Sequence, residues 1–406
     1  MIKICSIRDS RLKSLLNRRF FFGEFRFGYI FAYSLLIIIL TLKSIKISIL
    51  MSLFKYAFST LLLLFCFTTL KAQTLNSGKS YEVICVGFYN LENLFDTIVD
   101  PDTNKILQED FTPKSSKQWD SKKYYSKLDN MAEVIGKIGV SKSVPDGAAV
   151  LGVCEIENKS VLGDLVAHEK LKNKNYQIVH YDSPDKRGID VGFLYQPKYF
   201  TVTSSKSFTL KLPDNDNWAT RDQLLVSGEL NGEKMHFIVC HWPSRRGGQK
   251  ESSYKRVAAG ELAKSIVDSL TKEDPLVKVL VMGDLNDDPV DPSVREAMNS
   301  VGEIENMETG DMFNPMESLF KLGIGTLGYN DAWNLFDQMV LTPSFISLDN
   351  RFSTYSYFTA NVFNNSFLKN SSGRFEGFPF RTYSYGKFIN GYSDHFPVYL
   401  YLAKQK

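Results

Sequence analysis

Cysteine is scarce and irregularly spaced in this chain of 406 residues. Only three of its five cysteines follow residue 72, namely Cys85, Cys154 and Cys240. None of the three has a second cysteine at the short spacing of structural zinc sites, and each lies in an apolar run, so we interpret them as small buried strand residues. An odd number without short spacing also predicts no disulfide framework.

Beyond the first 72 residues the chain lacks an excess of positive charge, and it has no internal repeat or low-complexity linker. The whole chain carries 48 Lys and Arg against 45 Asp and Glu, but residues 1–72 hold eleven of the basic and two of the acidic residues. The remainder therefore has 37 basic and 43 acidic residues, a net charge of −6. This argues against a broad basic surface for nucleic acid, although it permits a site with few phosphate contacts. We expect one domain over 80–404.

An export signal is predicted over residues 51–72. Lys55 supplies a basic start, residues 56–70 an apolar stretch, and a small-residue cleavage site ends at Ala72. A membrane anchor is the alternative, and the shortness of the apolar run disfavours it. We interpret residues 1–50 as an over-extended start or N-terminal hydrophobic extension, with a transmembrane hairpin as the alternative. The expected protein is exported, periplasmic or extracellular, without a stable membrane anchor after cleavage, and monomeric.

Apolar periodicity predicts a chain of mixed strands and helices. The predicted strands cover 82–89, 148–154, 176–181, 191–195, 223–230, 235–240, 277–282, 337–341 and 396–402, and the predicted helices cover 124–138 and 254–270. Most strands are continuous apolar runs, which indicates burial on one or both faces. A Phe- and Asn-rich segment, 358–380, is predicted to be a surface loop.

Polar side chains follow the predicted strands at the points where those strands end. They are Asn90, Glu92, Glu155, His241, Asp284 and Asn286. Because ligand groups of open α/β sheets gather beyond the carboxyl ends of strands, we expect them to converge on one pocket. Glu92 and Glu155 are oxygen donors suited to Mg²⁺ or Mn²⁺. Asp284 would take a proton from water, and Asn286 would donate to a phosphoryl oxygen.

A second polar group precedes the last strand. Asp394 and His395 follow Ser393, and a carboxylate such as Asp337 would fix the tautomer of His395. Each of these motifs, taken alone, also has a non-functional explanation: a solvated strand end, a Gly-Asn turn, a helix cap or a basic surface turn. Together they supply a cation site, a water activator and donors for developing charge, which in-line phosphoryl displacement requires.

The order of the motifs resembles the endonuclease/exonuclease/phosphatase superfamily over nearly the whole chain after the signal. The matching segments are Asn90-Leu91-Glu92-Asn93, Val153-Cys154-Glu155, Arg187-Gly188-Ile189-Asp190-Val191, the strand ending at His241, Gly283-Asp284-Leu285-Asn286, Trp333-Asn334-Leu335-Phe336-Asp337-Gln338 and Ser393-Asp394-His395-Phe396-Pro397-Val398. One departure is Glu92, which stands where many relatives have Asp. This puts its role as a direct metal ligand in question.

The resemblance implies an α/β fold, a four-layered sandwich of two mixed β-sheets flanked by helices. It implies a Mg²⁺ site, which Mn²⁺ or Ca²⁺ would also fit, and the implied metal residues are Asn90, Glu92, Glu155 and Asp394. The implied catalytic residues are His241, Asp284, Asn286, Asp337 and His395. In this interpretation Asp284 positions the attacking water, and Asp337 orients His395.

Three functions are compatible with these residues. The first is an exported endonuclease acting on nucleic acid, with Arg187, Arg245 and Arg246 contacting substrate phosphates. The second is a phosphodiesterase or phosphatase for a small ester, namely a nucleotide, a phospholipid head group or an inositol phosphate. The third is a binding module that has lost turnover. The full set of acids and histidines disfavours the third.

Overall fold

The computed structural model describes residues 78–406 apart from 214, 216, 217 and 330. Within this part of the chain, no helix is both long and apolar enough to cross a membrane. The signal peptide predicted over 51–72 and the extension predicted over 1–50 lie outside the described residues.

The described residues form alternating strands and helices in a mixed order. The strands are β1 (Tyr81–Leu94), β2 (Ala148–Ile156), β3 (Gln177–His180), β4 (Asp190–Tyr195), β5 (Phe200–Phe208), β6 (Gln223–Leu230), β7 (Glu233–His241), β8 (Val279–Asp284), β9 (Ser300–Val301), β10 (Met312–Phe313), β11 (Leu327–Tyr329), β12 (Ala332–Asn334), β13 (Asp337–Leu341), β14 (Ser356–Val362), β15 (Tyr383–Ser384), β16 (Lys387–Phe388) and β17 (Val398–Gln405). The α-helices are α1 (Ser121–Ile135), α2 (Lys159–Ala167), α3 (Gln249–Glu273), α4 (Pro292–Arg295) and α5 (Met316–Lys321).

Two large sheets dominate this part of the chain, and both mix parallel and antiparallel pairs. Sheet I has the order β14-β17-β1-β2-β4-β3, and sheet II has the order β5-β6-β7-β8-β13-β10-β9. In sheet I, β1 is parallel to β2 and antiparallel to β17. In sheet II, β7 is parallel to β8, whereas β13 is antiparallel to β8. In each sheet, therefore, the carboxyl ends of two parallel strands lie beside the amino end of an antiparallel one.

The apolar residues form three layers of core. One core lies between the sheets and joins Val86 and Phe88 of sheet I to Val239 and Met282 of sheet II. A second packs α1 and α2 against the outer face of sheet I, and a third packs α3 against the outer face of sheet II. The order helix, sheet, sheet, helix confirms the four-layered α/β sandwich of two mixed sheets flanked by helices.

Helix α1 shows why its segment folds as it does. The Asp120 side chain accepts a hydrogen bond of 2.9 Å from the Lys123 N–H, which satisfies one of the donors exposed at the start of the helix. Tyr124, Leu128 and Met131 then follow at helical spacing and are buried against sheet I.

All nine predicted strands and both predicted helices are present, most of them with shifted ends. The strands β6 and β13 have the predicted bounds. The strand β5 was missed because it is an edge strand in which exposed polar residues alternate with few apolar ones. The strand β14 was missed because its residues overlap the segment 358–380, whose Asn and Phe content predicts a loop. Edge strands pair on one side only, so their sequences carry a weaker signal.

Candidate active site

Three of the predicted catalytic residues form a row across sheet II. His241 lies opposite Asp284 in the parallel pairing of β7 with β8, and Asp284 lies opposite Asp337 in the antiparallel pairing of β8 with β13. Two positions earlier, Val239 and Met282 face the core between the sheets. Because side chains alternate along a strand, the row faces the same inter-sheet space, at the edge where the core ends.

Asn90 connects sheet I to this row. It continues the face of β1 that carries Val86 and Phe88 into the inter-sheet core. Its side-chain amide donates a hydrogen bond of 3.0 Å to Asp284 Oδ2, and its Oδ1 accepts one of 2.9 Å from the Glu92 N–H. Asn90 is fully buried, so the amide orients the Asp284 carboxylate rigidly.

A bulge turns Glu155 into the site. Alternation along β2 places Leu151 and Val153 on the outer face of sheet I, and Glu155 would follow them. Instead Glu155 has φ 57°, and the pairing with the neighbouring strand shifts register there. Its Oε2 accepts a hydrogen bond of 3.0 Å from the Asn93 N–H, and its Oε1 lies 3.8 Å from His241 Nε2. A left-handed backbone conformation costs energy at a residue other than glycine, and such residues are often found at functional sites.

His395 and Asp337 form a buried pair. His395 Nδ1 lies 2.7 Å from Asp337 Oδ2, and the other ring nitrogen lies 3.8 Å from Asp284 Oδ2. Burial lowers the pKa of His395, but Asp337 and Asp284 raise it, and the net pKa is well above the ordinary value. The ring is therefore suited to carry a proton on Nδ1 toward Asp337 and present its Nε2 to the row.

Asn286 supports Asp284 from the following turn. Its N–H donates a hydrogen bond of 3.0 Å to Asp284 Oδ1, and its side-chain amide donates one of 3.0 Å to the Trp242 carbonyl. Like Glu155, it has a left-handed backbone, with φ 52°. With Asn90 on one oxygen and Asn286 on the other, the Asp284 carboxylate is fixed at both ends.

The oxygen atoms of the site fit a hard divalent cation. Asp284 Oδ2 and Glu155 Oε1 lie 3.7 and 3.8 Å from the same His241 nitrogen, and Asp284, Asp337 and His395 can each offer a ligand atom within 4.8 Å of one another. Burial raises the pKa of Asp284 to about 7; His395 lowers it, and Asp337 and Glu155 raise it. Asp337 Oδ1 is buried without a hydrogen-bond partner among the described residues. Crowded carboxylates with unused oxygen atoms are suited to Mg²⁺.

Glu92 is held by groups that the sequence analysis did not identify. Its Oε2 accepts a hydrogen bond of 2.7 Å from the Thr382 N–H and lies 3.8 Å from Lys127 Nζ, and its Oε1 lies 3.5 Å from Arg381 Nε. The pKa of Glu92 is raised to about 7. Burial is the main cause and the negative charge of Asp394 the second, whereas the positive charges of Lys127 and Arg381 lower the pKa. The predicted metal role of Glu92 stays a prediction, and its present partners are cations and a backbone N–H.

Asp394 also faces a cation. Its Oδ2 lies 2.6 Å from Arg381 Nη2, and its Oδ1 lies 4.0 Å from His395 Nε2.

Lys127 had a detectable sequence signal, because a lysine that shares the buried stripe of α1 with Tyr124 and Leu128 needs an anionic partner. Arg381 lies in a loop and had no such signal.

The three arginines predicted to contact substrate phosphates lie in different settings. Arg245 faces carboxylates of Asp287, Asp288 and Asp291 at 3.0, 3.3 and 2.6 Å, so its guanidinium already holds the loop after β8. Its phosphate role stays a prediction that these contacts do not favour. Arg246 is exposed on the loop after β7.

Arg187 lies near His241 of the row, close enough for its charge to affect the pKa of that ring. Its Nε is 3.4 Å from Asp185, and its Nη2 is buried without a hydrogen-bond partner in the described part of the chain. Arg221, which sequence analysis missed, is buried and pairs with Asp185 at 2.9 Å. Burial lowers the pKa of His241 well below its ordinary value, and the nearby charges of Arg221 and Arg187 lower it further. His241 is therefore a neutral ring between cations and acids.

Known proteins match the chain at the level of family and fold. A family model described as the Endonuclease/Exonuclease/phosphatase family matches residues 85–404. No curated protein sequence matches at a significant level. The match covers every residue that was assigned to the site, from Asn90 to His395.

Several solved structures are similar in fold. An endonuclease/exonuclease/phosphatase family protein from Bacteroides thetaiotaomicron is 15% identical, with 80% of this chain and 96% of that chain covered and a TM-score of 0.48. D. rerio TDP2 humanized by 14 mutations is 13% identical, with 79% and 99% covered and a TM-score of 0.48. A mannosyl-6-phosphatase from Bacteroides thetaiotaomicron is 16% identical, with 79% and 99% covered and a TM-score of 0.46.

Proposed function

Because the chain belongs to the endonuclease/exonuclease/phosphatase family, whose members hydrolyse phosphate esters, we propose that it is an exported, Mg²⁺-dependent endonuclease acting on nucleic acid. The observation that carries the proposal is the convergence of Glu155, Asn90 and the row His241, Asp284 and Asp337 at one edge of the sandwich. In-line attack of water on a phosphodiester needs these groups within one small volume.

Asp284 is suited to hold and deprotonate the attacking water. Asn90 and the Asn286 N–H fix its two oxygens, and its raised pKa brings it nearer to that of a general base at neutral pH. His395 would donate from Nε2 to a non-bridging phosphoryl oxygen as an imidazolium, because Asp337 and Asp284 raise its pKa and Asp337 accepts the proton on Nδ1. His241, held neutral by burial and nearby cations, donates a hydrogen bond without adding charge.

Glu155 is the carboxylate that would hold the cation, with Asp284 and Asn90 next to it. A bound Mg²⁺ would polarise the phosphoryl oxygen and neutralise charge that develops on it. The acids at the site repel one another in the absence of a cation, and the charges of Asp337 and Glu155 add to burial, the main cause, in raising the pKa of Asp284. Glu92 and Asp394 would act further from the cation, through Arg381.

Cationic side chains flank the acids on two sides, which favours an extended polyanion as substrate. Arg187 and Arg221 lie on the side of His241, and Arg381 lies on the side of Asp394. Phosphates on either side of the scissile one would meet guanidinium groups, which bind phosphates in a fork geometry. The Arg187 side chain is 32% exposed, which leaves part of it accessible for such a contact.

A small phosphate ester is the second candidate substrate. The net charge of −6 after residue 72 favours it, because long-range attraction for a nucleic acid is absent. Phe363 is buried and Phe367 packs against the core of sheet I, so these two residues of the Phe-rich segment offer no apolar surface for a lipid.

The test is nicking of supercoiled plasmid by residues 73–406 in Mg²⁺, with EDTA and Asp284→Ala as controls. We expect nicking that EDTA abolishes and that Asp284→Ala slows by a factor on the order of 10²–10⁴. Intact plasmid with release of nitrophenol from small phosphate esters would replace the endonuclease with the second candidate. Absence of both would indicate a binding module.

Export is tested separately. Expression of the full chain in a Gram-negative host, followed by fractionation, should yield soluble periplasmic protein whose first residue is Gln73. Recovery of uncleaved chain in the membrane fraction would contradict the signal peptide and support the anchor.

A further inference from the structure

A cleft with aromatic walls lies beside the catalytic row. Its volume is about 240 Å³, and it is lined by Phe375, Phe378 and Tyr385 together with Arg381 and Asp394. Asp394 connects it to the site, because its Oδ1 lies 4.0 Å from His395 Nε2 while its Oδ2 pairs with Arg381. A group in this cleft would therefore be next to the phosphate that His395 contacts.

Tyr385 stands at the tip of the cleft in a costly position. It joins β15 to β16 in a two-residue turn with Gly386, and their φ angles of 49° and 74° are the pair that favours Asn-Gly sequences. A tyrosine there is strained, and its side chain is 81% exposed. Its ring lies 6.0 Å from that of Phe375, at 39° between planes. The fold gains little from this ring, whereas a planar ligand would gain a stacking surface.

Phe378 forms a fixed wall of the same cleft. Its ring contacts Trp333 edge to face, with centroids 4.7 Å apart. It also covers Gly328, where an added Cβ would come within 2.7 Å of the ring. The wall is therefore held in place before a ligand arrives, which reduces the entropy cost of binding.

The polar groups of the cleft are largely engaged with the protein. The Asn370 side-chain amide donates to the carbonyl groups of Phe378 and Pro379 at 3.1 and 2.9 Å. Arg381 pairs with Asp394 at 2.6 Å. A hydroxyl-rich ligand such as a hexose would find few free partners, whereas a flat ring needs mainly aromatic faces.

We propose that this cleft binds a nucleobase attached to the scissile phosphate. The inference rests on the proposed function, and it names the part of the substrate that the enzyme reads beside the bond it cuts. Stacking on Tyr385 and Phe375 would tolerate every base, because each base has a π face. Arg381 would stabilise the position of the sugar-phosphate between the cleft and His395.

Binding without turnover tests the cleft. The Asp284→Ala protein, expressed from its full chain, is titrated calorimetrically in Mg²⁺ with deoxyadenosine 5′-monophosphate, deoxyribose 5-phosphate and glucose 6-phosphate. The first two probes share phosphate and sugar and differ only in the base. We expect the nucleotide to bind about tenfold more tightly than the sugar phosphate. Adding Tyr385→Ala should remove most of this advantage and leave the affinity for deoxyribose 5-phosphate unchanged.

Tyr254→Ala is the matched control, because Tyr254 is an exposed tyrosine on α3. It should leave all three affinities unchanged. Equal binding of nucleotide and sugar phosphate, or a base advantage that survives both Tyr385→Ala and Phe375→Ala, would overturn the inference. Tightest binding of glucose 6-phosphate would assign the cleft to a saccharide instead.

The two proposals fail separately. Plasmid nicking without a base advantage would overturn the cleft alone. A base advantage lost in Tyr385→Ala, combined with intact plasmid, would keep the cleft as a nucleotide site and reject the endonuclease.

Discussion

Glu92 and Glu155 occupy similar positions in sequence and backbone but face different surroundings. Each is an acid near the carboxyl end of a parallel strand of sheet I, with φ of 49° and 57°. Glu92 is surrounded by Lys127, Arg381 and the Thr382 N–H. Glu155 accepts one N–H, and its other oxygen faces His241. Glu92 therefore faces cations of the protein, whereas Glu155 faces a neutral histidine ring and one N–H.

The difference shows that an acid after a buried strand indicates a site without assigning its role. A buried carboxylate that already has cationic partners contributes to structure, and removing it leaves a buried charge. A carboxylate among other acids destabilises its surroundings slightly and is retained for what it binds. A substitution of Glu155 should therefore lower activity more than stability, and a substitution of Glu92 should lower stability more than activity.

Glu155→Gln should produce the largest loss of activity. Removing the carboxylate takes away the charge that would hold the cation, and turnover should fall by a factor on the order of 10³. The melting temperature should stay the same or rise, because repulsion with Asp284 is relieved. Plasmid nicking and thermal unfolding of the same preparation measure both. Retention of near-normal nicking would show that Glu155 is dispensable for the cation.

Glu92→Gln should cost stability more than activity. It leaves Lys127, whose side chain is fully buried, without its anionic partner, and the free energy of unfolding should fall by about 3 kcal/mol. Turnover should fall by about 10- to 100-fold, because Arg381 loses one of its two carboxylates. Urea unfolding and nicking assays separate the effects. A loss of activity as large as that of Glu155→Gln would make Glu92 a direct ligand.

Lys127→Met in the Glu92→Gln background should restore part of the stability. The double variant has no unpaired buried charge, so we expect recovery of about 2 kcal/mol relative to Glu92→Gln. Activity should not recover, because Arg381 still lacks Glu92. Equal stability of the single and double variants in urea would show that an unpaired Lys127 is not what destabilises the Glu92→Gln protein.

Strand β7 also carries two histidines in different surroundings: His241 belongs to the row, whereas His236 lies outside it. His236 Nδ1 forms a hydrogen bond of 2.8 Å with Ser227 Oγ, away from the row. Burial is the main cause that lowers the pKa of His236, and the charge of Lys234 is the next. Because its pKa in the folded state lies below the unfolded value near 6.5, the folded protein binds fewer protons, and stability falls as pH drops through and below that value.

His236→Gln should therefore flatten the acid limb of the stability profile. The wild-type protein should lose more stability than the variant between pH 7.5 and about pH 5, because only the wild type has a group at this position whose protonation favours the unfolded state. Urea unfolding at several pH values measures this. Parallel profiles for the two proteins would exclude His236 as the titrating group. Turnover near pH 7.5 should be unchanged, because His236 does not face the row.

Much of the fold and the membership of the site follow from the sequence. The nine predicted strands are local patterns of period two or continuous apolar runs, which a chain displays without knowledge of its partners. The family resemblance carried by Asn90, Glu155, Asp284 and His395 is confirmed by the family match over residues 85–404. The residues assigned to metal and catalysis stay predictions of role, and the structure brings most of them to one edge.

Apart from the pairing of His395 with Asp337, which the sequence analysis anticipated, the partners of those residues were decided by the tertiary structure. Register between strands aligned His241, Asp284 and Asp337, and a bulge turned Glu155 inward against the alternation of its strand. Lys127 and Arg381 met Glu92 from 35 and 289 positions away along the chain. A sequence records which groups are present, whereas which charge neutralises which depends on distances that only packing sets.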